Sequence, residues 1–362
     1  MALTPASELI MRNQTELSGR VLFAHIPDDG LLNQLSQLEN PIVLTDDWRS
    51  FTSMQHQPKL EPVFQSQVPD IAPVDKIVLF MPKAKEQARY LIAQLLPLLK
   101  EGAEFWLVGE NNGGIKSADK LLLPFTDKVQ KKDKAKKSTL LSMIPVVDKI
   151  PAFELEQWQQ YWSLDSALNA EASDGSEIDD RSESALELVS LPGVFSHGRL
   201  DEGSELLLQH LPKVRASVGF TPKVLDMGCG CGVIGLSLLK QQPELALTAC
   251  DVSVMAVEAT QLSLAHNQLE GEVIASDMWS EVEGRYDLVI SNPPFHTGLK
   301  TDYGPTEQFI RQAKKHLNRG GELRIVANRF LKYPDLIEQV FGNCERIAET
   351  GKFCIWSARV QI

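Results

Sequence analysis

Along the second half of the chain, short and nearly continuous apolar runs alternate with longer stretches whose apolar residues recur at helical spacing. The run "KVLDMGCG" (Lys223–Gly230) predicts a strand entering a glycine loop, and "VIGLSLLKQQ" (Val233–Gln242) a helix. Next come a strand over Ala246–Ser253, a helix over Val254–Asn267, and strands over Gly271–Trp279 and Tyr286–Asn292. A helix over Thr306–Leu317 opens at Pro305, a strand covers Gly320–Asn328, and a helix covers Pro334–Phe341. The last stretch, Cys344–Val360, reads as two strands around a Thr350-Gly351 turn. Repeated β-α units imply a parallel, doubly wound α/β sheet, here closed by an antiparallel hairpin at one edge.

The first half repeats this pattern more faintly. Val74–Asn111 reads as strand, turn, helix, glycine, strand, as does Tyr286–Asn328. Met81-Pro82 stands where the second half has Asn292-Pro293-Pro294, and Gly102 where it has Gly321. Either the chain is an internal duplication or two unrelated α/β domains resemble each other. Between Glu171 and Glu187 lie seven acids and one Arg among Ser, Gly and Ala, too polar to build a core. The expected organisation is a domain over 1–165, an acidic linker over 166–187 and a domain over 188–362.

Composition narrows the class. The 362 residues are 43% hydrophobic and 23% charged, ordinary for a globular protein, and no apolar run reaches the ~20 residues of a membrane helix. With no apolar signal core at its start, the chain is expected in the cytoplasm. Five cysteines at 229, 231, 250, 344 and 354 lack zinc-ligand spacing and read as small residues in a reducing compartment; no metal is expected. A net charge of −12 argues against broad nucleic-acid affinity but allows a local basic patch. One candidate is Asp127–Lys137, with six lysines; Lys300, Arg311, Lys314, Lys315 and Arg319 are another. Each reads either as a phosphate contact or as a solvated face.

The candidate chemistry gathers where strands should end. Gly228, Gly230 and Gly232 follow one strand and precede a helix, so backbone can approach a ligand closely. Asp251 ends the next strand, where it would either hold both hydroxyls of a ribose or cap a helix. Asp277 ends the third strand, facing an exocyclic adenine amine or solvent. With Asp226, these acids disfavour a phosphate-bearing cofactor and suit the cationic S-adenosylmethionine. On the fourth strand, Asn292-Pro293-Pro294-Phe295 forms a stiff ledge, because neither proline can donate to the ladder. The Asn292 side-chain oxygen and the Pro293 carbonyl can bind both hydrogens of an amine, aligning its lone pair, while Phe295 stacks on the base. His296 either relays a proton or is a polar loop residue.

These residues, with "LPGVFSHGRLDEGSELLLQHLP", "LTACDVSVMAVEA", "DLVISNPPFH" and "GGELRIVANRFLKYP", resemble the bacterial small-subunit ribosomal RNA guanine-N2 methyltransferases. The likeness extends to "LTPASELIMRN" and "MPKAKEQA" in the first half. It implies two tandem Rossmann-like class I methyltransferase domains, the second with a seven-stranded mixed sheet. It implies S-adenosylmethionine as cofactor and one guanine of 16S ribosomal RNA, in the small subunit, as substrate for a monomer. It also implies that the first domain has lost cofactor binding, in keeping with the lack of a glycine cluster in "RVLFAHIPDDG" after the first strand. The segment around Phe195, Ser196, Gly198 and Leu200 would close over the cofactor's methionine end, and Cys229 would lie in the cofactor loop. Rival readings are a large-subunit guanine-N2 methyltransferase, a release-factor glutamine or DNA adenine methyltransferase, and a non-catalytic ribosome-assembly factor on the same fold.

Overall fold

The computed structural model describes residues 2–164, 185–215, 219–293 and 304–361. The acidic stretch 171–184 lies outside them, as do Pro294, Phe295, His296 and Lys300. The chain forms two compact units, Met1–Trp158 and Gln159–Ile362. No helix among the described residues is long and apolar enough to cross a membrane.

In the first unit the strands are β1 (Val21–Ala24), β2 (Ile42–Leu44), β3 (Glu61–Val63), β4 (Val74–Phe80), β5 (Leu99–Glu110), β6 (Gln130–Ala135) and β7 (Ser138–Met143). They form one sheet in the order β3-β2-β1-β4-β5-β7-β6. The second unit begins with a two-stranded antiparallel ribbon, β8 (Gln160–Ser163) on β9 (Glu187–Ser190). This pairing brings Gln159–Ser163, which the sequence groups with the first half, into the second unit. Its main sheet contains β10 (Lys223–Met227), β11 (Ala246–Asp251), β12 (Glu272–Ala275), β13 (Tyr286–Ser291), β14 (Leu317–Asn328), β15 (Glu345–Glu349) and β16 (Phe353–Arg359). Their order is β12-β11-β10-β13-β14-β16-β15, the same permutation as in the first unit.

The correspondence reaches single residues. β5 and β14 are both 12 residues long, and each carries a positive-φ glycine at its fourth position: Gly102 at +77° and Gly320 at +75°. Gly102 is thus the counterpart of Gly320, not of Gly321; the left-handed backbone, which only glycine adopts freely, marks the equivalent position. After the irregularity, register resumes with Lys76 opposite Glu104 and with Leu288 opposite Glu322. Each acid is satisfied by its own half. Glu104 accepts from Lys76 and from Trp106 Nε1, while Glu322 accepts from Arg324, Ser357 and Arg359.

The central strands of the second sheet are covered on both faces, which explains their unbroken apolar runs. Leu225, Val289, Leu323 and Ile325 form the core with Phe309 and Ile310 from the helix Gly304–Ala313. Trp279 stacks on Phe309 and, at 4.2 Å, on His316. The third strand stops at Ala275, short of the expected Trp279, because hydroxyls take over the backbone bonds. Ser276 Oγ donates to the Met278 carbonyl and accepts from Glu281 N, and Ser280 Oγ accepts from Asp277 N.

Candidate active site

The C-terminal ends of β10, β11 and β13 lie side by side, with Asp226 opposite both Ala249 and Ile290. Between β10 and the helix Val233–Gln241, Gly228, Gly230 and Gly232 all have positive φ. The loop is pinned from beneath. Gly228 N and Cys229 N donate to the Cys250 carbonyl at 2.8 and 3.0 Å, and Gly232 N donates to the Cys229 carbonyl at 2.8 Å. A Cβ added at Gly228 or Gly230 would meet nothing within 4 Å, whereas one at Gly232 would come within 2.7 Å of Leu236. Two glycines therefore border open space, and the third permits close packing onto the helix. Cys229 presents no side chain to that space: its thiol is buried against Thr260 Oγ1, and burial pushes its pKa well up. All five cysteines are free thiols.

Asp226 is fully buried. Its Oδ2 accepts from Gly235 N at 2.9 Å, and its Oδ1 has no hydrogen-bond partner among the described residues. Burial pushes its pKa up to about 7; the Gly235 N–H offsets part of that rise and the nearby Asp251 charge adds to it. Asp251 closes the loop from the other side, accepting from Gly230 N at 3.1 Å and from Ser253 N at 3.0 Å. The second bond is a turn bond to the residue two ahead, not the cap of the helix Val254–His266, whose N-cap is Ser253. Ala275 pairs with Asp251, which places half-buried Asp277 two residues beyond that level, in the hydroxyl-braced turn.

Asn292 follows β13 directly, and Ser291 Oγ ties this strand end to the Met227 carbonyl at 2.7 Å. The Asn292 amide donates to Asp201 Oδ1 and to Ser204 Oγ, both at 3.0 Å. Asp201 also N-caps the helix Glu202–Leu208, accepting from Gly203 N and Ser204 N. A Cβ at Gly203 would fall 3.1 Å from Asp201 Oδ1 and 3.3 Å from Asn292 Nδ2, so glycine keeps the cluster closed. Nothing local in the sequence marks Asp201 and Ser204 as partners of Asn292. The only signal for them is an Asp before an apolar helical run, which marks a cap and not a partner far along the chain. Pro293 is buried; Phe295, the expected stacking residue, lies outside the described residues.

Phe195 is 72% exposed, and Ser196 and Gly198 both have positive φ. The segment is tethered through His197 Nδ1, 2.7 Å from Ser190 Oγ. In the first unit the lysine run forms edge strand β6 and its turn into β7. Lys132 pairs with Glu16 and Glu104, and Lys136 with Glu8. Lys128, Lys131, Lys134 and Lys137 have no ion-pair partner among the described residues.

The family "Methyltransferase small domain" matches residues 185–357, and "Methyltransferase small domain N-terminal" matches residues 7–162. A protein of Aeromonas hydrophila subsp. hydrophila named ribosomal RNA small subunit methyltransferase C is 38% identical over 360 residues, 99% of each chain. One of the same name from Salmonella choleraesuis is 38% identical, covering 98% of this chain and 96% of its own. Among solved structures, the T. thermophilus 16S rRNA N2 G1207 methyltransferase in complex with AdoMet and guanosine superposes with a TM-score of 0.78. It is 21% identical, covers 99% of this chain and 92% of its own, and shares its fold.

Proposed function

The chain belongs to the ribosomal RNA small subunit methyltransferase C family, and on that premise we infer that it methylates the exocyclic N2 amine of one guanine in 16S ribosomal RNA, with S-adenosylmethionine as donor. The single observation that carries the reading is Asn292. Both amide hydrogens are engaged by Asp201 and Ser204, which leaves Oδ1 as an acceptor at the strand end beside the glycine loop.

The residues fit that cofactor. Space is open over Gly228 and Gly230, and the buried Asp226 Oδ1 has no partner among the described residues. Clustered carboxylates repel phosphate and favour a cation. Gly228, Cys229 and Gly230 would hold it by backbone, Asp251 by its ribose and Asp277 by its adenine amine. Asp226 would lie beneath it, with Asn292 at its reactive end. Phe195 and Ser196 would cover its methionine end. When bound, the cofactor supplies an electrophilic methyl on a sulfonium.

The chain's own groups prepare the acceptor. Asn292 Oδ1 and the Pro293 carbonyl accept the two amine hydrogens, drawing the lone pair out of conjugation with the ring and aiming it. Phe295, outside the described residues, would stack on the base. The positively charged product nitrogen is acidic enough to lose its proton without a strong base.

Guanine 1207, the nucleotide named for the T. thermophilus protein, is the proposed target, within the small subunit. The enzyme acts as a monomer in the cytoplasm, and its first unit, without a glycine loop, binds no cofactor. The test is methyl transfer from labelled cofactor to ribosomal subunits from a strain lacking the enzyme, with cofactor titration alongside. Label in the small subunit and one cofactor per chain are expected. Label in the large subunit, or two cofactors per chain, would refute the corresponding part.

A further inference from the structure

Phe330 lies two residues past the end of β14 and is 67% exposed. It is not held loosely. Arg329 N donates to the Lys352 carbonyl at 2.9 Å, and Leu331 N donates to the Asn328 carbonyl at 3.0 Å, so the backbone on both sides is fixed. The ring borders a cavity of about 440 Å³ that lies against the helices Gly304–Ala313 and Tyr333–Phe341. Leu336 lines it as buried apolar surface, while Arg311, Lys332, Glu307 and Asp335 bring charge of both signs. Among the described residues neither Arg311 nor Lys332 has an ion-pair partner.

We propose that Phe330, Arg311 and Lys332 form a second nucleotide subsite, which takes an unstacked base of the RNA flanking the methylated guanine. The proposal rests on the RNA methyltransferase reading above. An exposed ring is a stacking platform for any base, and sequence-tolerant stacking is how proteins grip single-stranded segments. The volume falls within the range of small-ligand pockets. The cations suit phosphate; Glu307 and Asp335 would repel a free anion but can accept from the N–H groups on a base edge. That mixture fits a nucleotide better than an inorganic anion or an apolar peptide.

Position supports a neighbour of the target and not the target itself. Ser291 on β13 pairs with Ile325 on β14. Asn292 is one residue past that level and Phe330 five, an offset of about 13 Å along the strand direction at the rise of an extended chain, on neighbouring strands about 5 Å apart.

The experiment compares the full chain with Phe330→Ala, Phe330→Trp and Phe330→Leu on small subunits from a strain lacking the modification. Naked 16S RNA binding, cofactor binding and thermal stability are read in parallel. Phe330→Ala should raise the subunit KM and the RNA Kd at least about 10-fold, the size of a lost base stack. Saturated turnover, cofactor affinity and melting temperature should hold. Trp should restore binding and Leu should not, because Leu keeps apolar bulk but lacks a π face. Arg311→Ala and Lys332→Ala should each lower the salt dependence of RNA binding by about one charge. Wild-type RNA affinity in Phe330→Ala, or full rescue by Leu, would overturn the subsite, as would a defect seen with subunits but absent with naked RNA. Failure of the wild-type chain to methylate subunits would refute the activity itself, a distinct result.

Discussion

Asn292 Nδ2 lies 3.0 Å from Asp201 Oδ1, and the two residues are 91 positions apart in the chain. A carboxylate oxygen that already accepts from backbone N–H groups faces donors, so it dictates which end of the amide faces it. A flipped amide would set two oxygens against each other. The same Asp201 oxygen accepts from Gly203 N and Ser204 N, so one atom both caps a helix and orients the side chain at the end of β13.

Asn292→Ala should therefore lower turnover by about 100-fold or more, the scale of losing one acceptor aimed at a transition state. Cofactor affinity by calorimetry should stay within a few-fold of the parent. Loss of cofactor binding together with activity would move Asn292 from the acceptor side to the cofactor.

Asp201→Ser separates capping from orientation. Serine caps helices about as well as aspartate but is too short to reach Asn292. Turnover should fall about 10-fold while the melting temperature stays near the parent's. In the Asn292→Ala background the same change should cost nothing further, since residues acting through one group are not additive. Independent losses in the double mutant would show that Asp201 acts elsewhere.

The places of the glycine loop, of Asp226 and Asp251 on their strands, and of Asn292-Pro293 directly after β13 were legible because local chemistry marks them: glycines before a helix, acids near strand ends, a proline stopping a strand. The duplication was legible as a repeated strand-helix-strand pattern, and the matching sheet orders give it full form. The Asp201–Asn292 bond was not legible, since nothing local distinguishes a helix cap that serves one helix from a cap that also holds a distant side chain. Apolar periodicity carries the third strand on to Trp279 because it cannot show that Ser276 and Ser280 take the backbone bonds. Pairing Gly102 with Gly321 was off by one, because adjacent glycines differ only in φ.

Asp251→Ala should weaken cofactor binding by roughly 2–4 kcal/mol, the worth of two charge-assisted hydrogen bonds. It also releases Gly230 N and Ser253 N, so a modest drop in melting temperature should accompany it. RNA binding without cofactor should not change. A stability loss with unaltered cofactor affinity would leave Asp251 as a loop brace alone.

Asp226 gives the second unit a pH dependence whose sign is fixed. Its folded pKa, about 7, lies above its ordinary value of 3.8, so the native state keeps a proton that the unfolded chain has released. The stability this contributes is fully present below about pH 4 and is lost as pH rises through 7, in total about 4 kcal/mol. Asp226→Asn keeps an oxygen for the Gly235 N–H and carries no charge to bury. Without cofactor, the variant should gain on the parent from pH 5 to about pH 7 and level off by pH 8, read as denaturation midpoints at each pH. Parallel curves across that window would mean that Asp226 is ionised throughout it, and that the charge is stabilised by more than the one N–H it accepts.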